Sequence, residues 1–395
     1  MERPLRILTF LHSFEPGGVE RVALRLVTAW RAAGIDAPLV MGRDDGIMRR
    51  EWPDIAYLSL ASGRLETGWF ETLWMITRLP AQIRRLQPDV LFCAGNSYTI
   101  VSVAMKLVLG KTCPPIMAKI SNDLGRTDMP ALFRGVYGKW LKIQGRSLDV
   151  LVGMAEPMRQ EIAVAMGAPD ERIAIVNDPA LNDRDIVAAT AFDVHRPDDR
   201  PGTRYVAAGR LSSQKNFPLL LQAFSAVAGP DDILTIYGEG PDRGGLQALA
   251  KKLKISDRLF LPGHTHPIIP ALANHDVYVL SSDYEGVPAV IIEALTAGLP
   301  IVATNCSVSM ADLLGEGEFG ELVPVGNAPR LASAMRTARQ RGQDRGAARN
   351  QAGRFTVETA AFAYADLAAT MVAHRDHDKN ISLASLQHAA HGSLE

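Results

Sequence analysis

Two α/β domains in tandem, each built on a parallel sheet, follow from three features of the chain. Short apolar runs of strand length recur through both halves, stretches of helical periodicity separate them, and one Pro-, Asp- and Arg-rich run near the middle interrupts the rhythm. Nearly continuous apolar strands alternating with helices mean parallel sheets covered on both faces. The length agrees: 395 residues exceed one ordinary core, and an apolar share of 47% lets each domain fill an interior.

In chain order, "LRILTFLHSF" (5–14), "APLVMGR" (37–43), "DVLFCAGN" (89–96), "PIMAKIS" (115–121) and "DVLVGMA" (149–155) predict buried strands. Between the first two lies "VERVALRLVTAWRAAG" (19–34), whose Val22, Leu26 and Ala29 or Trp30 fall at i, i+4 and i+7/i+8 of an amphipathic helix. The interrupting run predicts a linker over 179–203 between an N-terminal domain (1–178) and a C-terminal one (204–355). The rhythm restarts in "RYVAAGR" (204–210), "ILTIYG" (233–238), "RLFLPG" (258–263), "DVYVLSS" (276–282), "PIVATN" (300–305) and "GELVPV" (320–325). A last periodic stretch predicts a terminal helix over 356–374, and residues 375–395 read as a disordered polar tail.

Charge and cysteine usage narrow the class. A formal net charge of −1 argues against nucleic acid as the main partner. Cys93, Cys113 and Cys306 are odd in number and far apart, which reads as buried thiols of a reducing compartment. The opening "MERPLRILTFLHSF" does not read as a signal peptide, and no window approaches the ~20 apolar residues of a membrane span. The expected location is cytoplasmic, with peripheral membrane contact as the one extension.

Ligands of open parallel sheets sit beyond the carboxyl ends of the strands. In "GRLSSQKN" (209–216), Gly209 lets backbone approach a ligand, while Arg210 and Lys215 supply cations for phosphate oxygens; a solvated surface turn reads equally well. "YGEGPDR" (237–243) fails the dinucleotide fingerprint, because Arg243 stands where a third Gly belongs, and a tight turn explains its glycines as readily. In "SSDYEGVPAVIIEALTAGLP" (281–300), Pro288 suits a first helical turn, so amides of Gly286, Val287 and Ala289 form an anion-binding helix start. Glu285 and Glu293, eight positions apart, would repel a naked phosphate but suit a ligand that also carries hydroxyls. A nucleotide-sugar fits both halves of the set. Taken alone, Glu293 also reads as a solvent-facing helix residue.

"GRLSSQKN", "GEG", "EGVPAVIIEALTAGLPIVAT" and the early "PGGVER" (16–21) together resemble the retaining glycosyltransferases of family 4, over roughly residues 5–373. The resemblance implies the GT-B fold: two Rossmann-like domains facing a central cleft, with the terminal helix crossing back onto the N-terminal domain. It implies that Arg210 and Lys215 hold the donor diphosphate, that Glu285 contacts the transferred sugar, and that these three form the catalytic set. Glu293 would meet the ribose, amides around Gly286 and Val287 the sugar and phosphate, and Gly17 and Gly18 the diphosphate from across the cleft. Gly263 and His264 of "PGHTH" (262–266) occupy the slot that faces the base. "VNDPA" (176–180) is similar to the Asn-Pro segment at the domain junction, with Asp178 inserted.

One departure matters. Many relatives carry a His after the fourth strand of the first domain, where this chain reads "AKISNDLG". Asn122, Asp123 and, at the end of the first strand, His12 are the substitute contacts for sugar or acceptor; an Asx turn and a loop histidine are the alternative. The reading gives metal-independent hexosyl transfer from a UDP- or GDP-sugar co-substrate, no cofactor, and a glycan or lipid-linked acceptor. "DRD" (183–185) and "DHD" (376–378) read as solvated aspartates rather than metal ligands. The helix over "ALFRGVYGKWLKIQGR" (131–146) is either an ordinary half-buried helix or a basic membrane-surface one. Rival readings are a hydrolysing nucleotide-sugar epimerase, a non-catalytic nucleotide-sugar-binding homologue and, weakest, an NAD-dependent oxidoreductase.

Overall fold

The computed structural model describes residues 3–15, 17–61, 70–121, 124–125, 130–191 and 201–377. It divides into two compact units, Met1–Pro179 with Val357–Glu395, and Ala180–Thr356.

Unit 1 runs β1 (Ile7–Leu11), α1 (Gly18–Ala32), β2 (Leu39–Met41), β3 (Leu58–Ser59), α2 (Glu71–Leu86), β4 (Val90–Cys93), α3 (Thr99–Leu109), β5 (Ile116–Lys119), α4 (Ala131–Ser147), β6 (Val150–Gly153), α5 (Met158–Met166) and β7 (Ile173–Ile175). Its strands form one parallel sheet in the order β3-β2-β1-β4-β5-β6-β7. β1, β4, β5 and β6 are buried throughout, as the unbroken apolar runs require. β3 and β7 are strands that the sequence pattern did not single out; two and three residues are too few to show a period. The β3→β4, β4→β5 and β5→β6 connections cross the sheet in one direction and β1→β2 in the other. Right-handed crossovers therefore place α2, α3 and α4 on one face and α1 on the opposite face.

Unit 2 runs α6 (Asp183–Ala189), β8 (Arg204–Ala208), α7 (Phe217–Val227), β9 (Ile233–Tyr237), α8 (Arg243–Lys252), β10 (Leu259–Gly263), α9 (Ile269–Leu272), β11 (Val277–Leu280), α10 (Ala289–Thr296), β12 (Ile301–Thr304), α11 (Met310–Leu313), β13 (Gly320–Val323), α12 (Ala328–Ala338) and α13 (Arg345–Gly353). The six-stranded parallel sheet has the order β10-β9-β8-β11-β12-β13. The order reverses between β8 and β11, so the carboxyl ends of those two strands flank a switch point. Leu220, Phe224, Leu234, Ile236, Val279 and Met335 belong to the buried cluster under this sheet.

The stretch read as a linker over 179–203 is in part folded structure of unit 2. Leu181 bridges to Thr356, and α6 packs on α13, with Arg349 donating to the Ala189 carbonyl at 3.4 Å. The cause is local: Asn182 and Asp185 form a reciprocal capping box that starts a helix inside a polar run. Residues 192–200 of that stretch lie outside the described residues.

The terminal helix α14 (Val357–His377) packs against α1 in unit 1. Trp30 Nε1 donates to the Ala361 carbonyl at 2.9 Å, and the buried Tyr364 ring meets Phe92 and Trp30 edge-on. The helix continues through 375–377, beyond the end that the sequence pattern predicts; the remainder, 378–395, lies outside the described residues. Close by, Lys119 Nζ stands 2.6 Å from Asp178 Oδ1, both side chains almost fully buried. No aligned hydrogen bond joins that oxygen, so the attraction is one of charge. Burial raises the pKa of the Tyr364 phenol, and the Asp178 carboxylate raises it further.

Candidate functional site

Three turns of unit 2 converge at the carboxyl ends of β8, β9 and β11. Leu211 N donates to the Glu239 carbonyl at 2.9 Å, Gly238 N to Gly263 O at 2.9 Å, and Asp283 N to Gln214 O at 2.9 Å. The G-x-G of the second turn is a packing joint. Gly238 has φ +139°, and a Cβ there would stand 1.9 Å from the Gly209 carbonyl oxygen. Of the two readings of those glycines, the tight turn accounts for them.

Lys215 Nζ lies 2.5 Å from Glu285 Oε1, and their side chains are only 14% and 10% exposed. Ser282 Oγ donates to the same oxygen at 2.8 Å, and Gln214 Nε2 reaches Oε2 at 3.5 Å and the Tyr284 carbonyl at 3.0 Å. Ser281 Oγ donates to the Lys215 carbonyl at 2.8 Å, and Asn216 Nδ2 to Asp283 Oδ1 at 2.7 Å. Lys215 is thus held in place rather than free to swing; an ammonium has three donors and retains capacity for a second acceptor. Arg210 is exposed and makes no ion pair among the described residues. Gly209 lies beneath the Lys215 side chain; a Cβ on it would stand 2.9 Å from Lys215 Cε.

α10 begins after Pro288, which occupies the N-cap rather than the first turn, and no side chain caps it. Gly286 and Val287 are buried ahead of it, with Ser307 Oγ bonded to the Gly286 carbonyl at 2.7 Å. Glu293, in the second turn, is half-buried on the side of Ala289 and Val290, while Ile291, Ile292, Ala294 and Leu295 are buried. Burial pushes the Tyr278 phenol up, and the carboxylates of Glu293 and Glu285 push it further. That phenol donates to the Ala208 carbonyl at 3.4 Å, at the end of β8, so it feels both acids where the first turn begins. The Cys306 thiol is pushed up to about 12 by burial and then by Glu285, which makes it inert. Gly263 is buried at the end of β10 and His264 is exposed.

His12, Gly17 and Gly18 belong to unit 1. The His12 ring lies over Tyr98, with centroids 4.7 Å apart, and its Nδ1 is 3.8 Å from Glu71 Oε1. Its Nε2 is buried without a partner. Tyr98 donates to Glu20 Oε1 at 2.6 Å, and Glu20 lies over Gly17, where a Cβ would meet Oε2 at 2.0 Å. The start of α1 at Gly17 and Gly18 therefore already has a carboxylate beside it. Ser121 is anchored by Asn96, its N–H donating to Oδ1 at 2.7 Å, and Leu124 N donates to Glu161 at 2.6 Å. Asn122 and Asp123, between those anchors, lie outside the described residues.

Burial, and then the Arg43 guanidinium, bring the His12 pKa from 6.5 down to about 4. The unfolded chain binds more protons in that interval, so this residue's contribution is full above pH 6.5 and is lost as pH falls toward 4. At ~1.4 kcal/mol per pK unit the whole loss is about 3 kcal/mol. Urea unfolding of wild type and His12→Gln between pH 4 and 7 checks it: the difference between the two should vary with pH and be constant if the site does not titrate.

Sequence reasoning missed Gln214, Ser282 and Tyr278 in unit 2, and Glu20, Glu71 and Tyr98 in unit 1. A signal existed for Ser282, a polar residue closing a buried strand three positions before Glu285. None existed for Tyr98, whose partners lie 78 and 86 positions away.

The model of the family "Glycosyltransferase Family 4" matches residues 16–179, and that of "Glycosyl transferases group 1" matches 195–354. The chain belongs to the family 4 type of glycosyltransferases. A Haemophilus influenzae uncharacterised glycosyltransferase is 35% identical over 33% of this chain and 37% of its own length. The Campylobacter jejuni N-acetylgalactosamine-N,N'-diacetylbacillosaminyl-diphospho-undecaprenol 4-alpha-N-acetylgalactosaminyltransferase is 31% identical over 37% of this chain and 40% of its own. The chain thus spans about two fifths of those relatives. Solved structures align over nearly its whole length. The lipopolysaccharide outer core galactosyltransferase WaaB apo form has a TM-score of 0.69 at 17% identity, covering 92% of this chain and 100% of that one. Anabaena Alr3699/HepE in complex with UDP has 0.69 at 16% identity, covering 93% and 100%. At such identities the likeness establishes the fold alone, and that fold is GT-B.

Proposed function

We propose that this glycosyltransferase moves a hexosyl residue from a nucleotide-sugar to a glycan or lipid-linked acceptor, with retention and without a metal ion, in the assembly of a polysaccharide or glycoconjugate. The observation that carries the reading is the Lys215–Glu285 pair, fixed by Ser282 and Gln214 beside the exposed Arg210. Cations and carboxylates side by side suit a ligand that is anionic at one end and hydroxylated at the other.

Arg210, Lys215 and the uncapped start of α10 would take the diphosphate, and negative charge grows on its oxygen as the bond to the sugar breaks. Held donors aimed at developing charge lower the barrier without reorganising. Glu285 would accept hydroxyls of the sugar, and Glu293 those of the ribose. The sugar's anomeric carbon leaves the diphosphate oxygen and joins the acceptor oxygen on the same face, and the acceptor's proton passes to the departing diphosphate. His12 is neutral at physiological pH, so its buried Nε2 would serve as a hydrogen-bond partner to a hydroxyl. The relatives support both ends of the reading, one being named for a diphospho-undecaprenol sugar acceptor and another solved in complex with UDP.

Incubating the protein with UDP-, GDP-, ADP- and dTDP-sugars in the presence of EDTA tests the donor. One of the UDP- or GDP-sugars should raise the melting temperature by mass action and be slowly hydrolysed. Loss of turnover with EDTA would defeat metal independence, and an inverted product anomer by NMR would defeat retention.

A further inference from the structure

We propose that the outer face of the α2–α3–α4 layer of unit 1 docks on the surface of an anionic lipid bilayer. The charge distribution is the first ground. These three helices together hold eight Lys or Arg residues and one acid, Glu71, in a chain whose net charge is −1. Glu71 is itself turned toward Arg43, at 3.2 Å, and Lys106 pairs with Asp149 at 2.5 Å, so the excess rests on the other seven cations. The excess is concentrated on one face because all three helices are crossovers of the same direction, α2 packing on α3 and α3 on α4.

The second ground is what lies between the cations. α4 turns Leu141, Gln144 and Gly145 inward, all buried. Its opposite side presents Val136, Lys139, Ile143 and Arg146 at i, i+3, i+7 and i+10, all exposed. Val136 is 64% exposed and Ile143 46%; Phe133 at the start of the helix is 63% exposed, and Leu107 on the neighbouring α3 is 81% exposed. Lys139, Lys142 and Arg146 make no ion pair among the described residues.

Bare aliphatic and aromatic side chains alternating with cations that pair with no acid among the described residues match the boundary of an anionic bilayer. There the apolar groups enter the headgroup and acyl region while the cations meet lipid phosphates. A soluble polyanion such as RNA would be served by the cations alone and would leave Val136, Ile143 and Phe133 in water. No helix among the described residues is long and apolar enough to cross a membrane, so the contact is one of surface. It does not depend on the transfer reaction, so it stands or falls separately from the proposed activity.

The test is flotation of the full chain with phosphatidylcholine vesicles with and without phosphatidylglycerol. The expected result is co-flotation only with phosphatidylglycerol, weakened by salt. K139E/K142E/R146E should lower the partition coefficient on the order of 100-fold or more. V136S/I143S, with unchanged charge, should also lose flotation. All five positions are exposed, and thermal melts of the variants should match wild type. Hydrogen exchange of the wild-type protein with and without these vesicles gives a readout free of any variant: protection should appear in 131–147. Absence of flotation, a charge-reversed variant that floats like wild type, or a V136S/I143S variant that floats unchanged (a polyanion site only) would each overturn the proposal. So would self-association through this face in the absence of lipid.

Discussion

Lys215→Ala is expected to lower the rate of sugar transfer by roughly 10²–10³-fold, the range seen when one fixed donor is removed from a developing negative charge. The same change leaves Glu285 almost fully buried with only Ser282 and Gln214 for company, so it also weakens the fold. The two effects separate in the double variant Lys215→Ala, Glu285→Gln. Neutralising the orphaned carboxylate should restore much of the melting temperature while turnover stays low, which would show that loss of stability is not what stops the reaction. Lys215→Ala protein that keeps most of its turnover, assayed well below its melting temperature, would show that the cation serves the fold alone.

Asp178→Ala should destabilise unit 1 by about 3–5 kcal/mol, the usual consequence of leaving one charge of a buried pair without its counterion. Lys119 has no route to water: its side chain is 3% exposed and its counterion is the carboxylate 2.6 Å away. The control is Lys119→Met with Asp178→Leu, which removes both charges and should recover most of the loss. Urea denaturation gives both numbers. A single variant as stable as wild type would show that the buried pair contributes nothing to the fold.

Much of the architecture was legible because parallel strands buried on both faces announce themselves as unbroken apolar runs. β1, β4, β5, β6, β8, β9, β11 and β12 coincide with such runs, and the edge strands β10 and β13 show the pattern although they are only partly buried. β3 and β7 are too short to display one, and α6 was concealed by composition, since Asn182, Asp183 and Asp185 resemble loop residues until their capping geometry is visible. At the site, the residue types of Arg210, Lys215, Glu285 and Glu293 were informative, because charge beside Gly-rich strand ends is unusual. Their arrangement was not. That Lys215 grips Glu285 depends on two turns 70 positions apart meeting beside β8 and β11. The environment of His12 was equally hidden, being assembled from Tyr98 and Glu71 on distant segments.

The chain leaves unit 1 at Pro179 and re-enters it at Val357, with the whole of unit 2 in between. On the ribosome, the apolar seat formed by Trp30 and Phe92 stays without Tyr364 until all of unit 2 has been translated, on the order of ten seconds or more at ~5–20 residues per second. Unit 1 is therefore the first to emerge and the last to be finished, and nascent chains stalled before Val357 should be the species that chaperones engage.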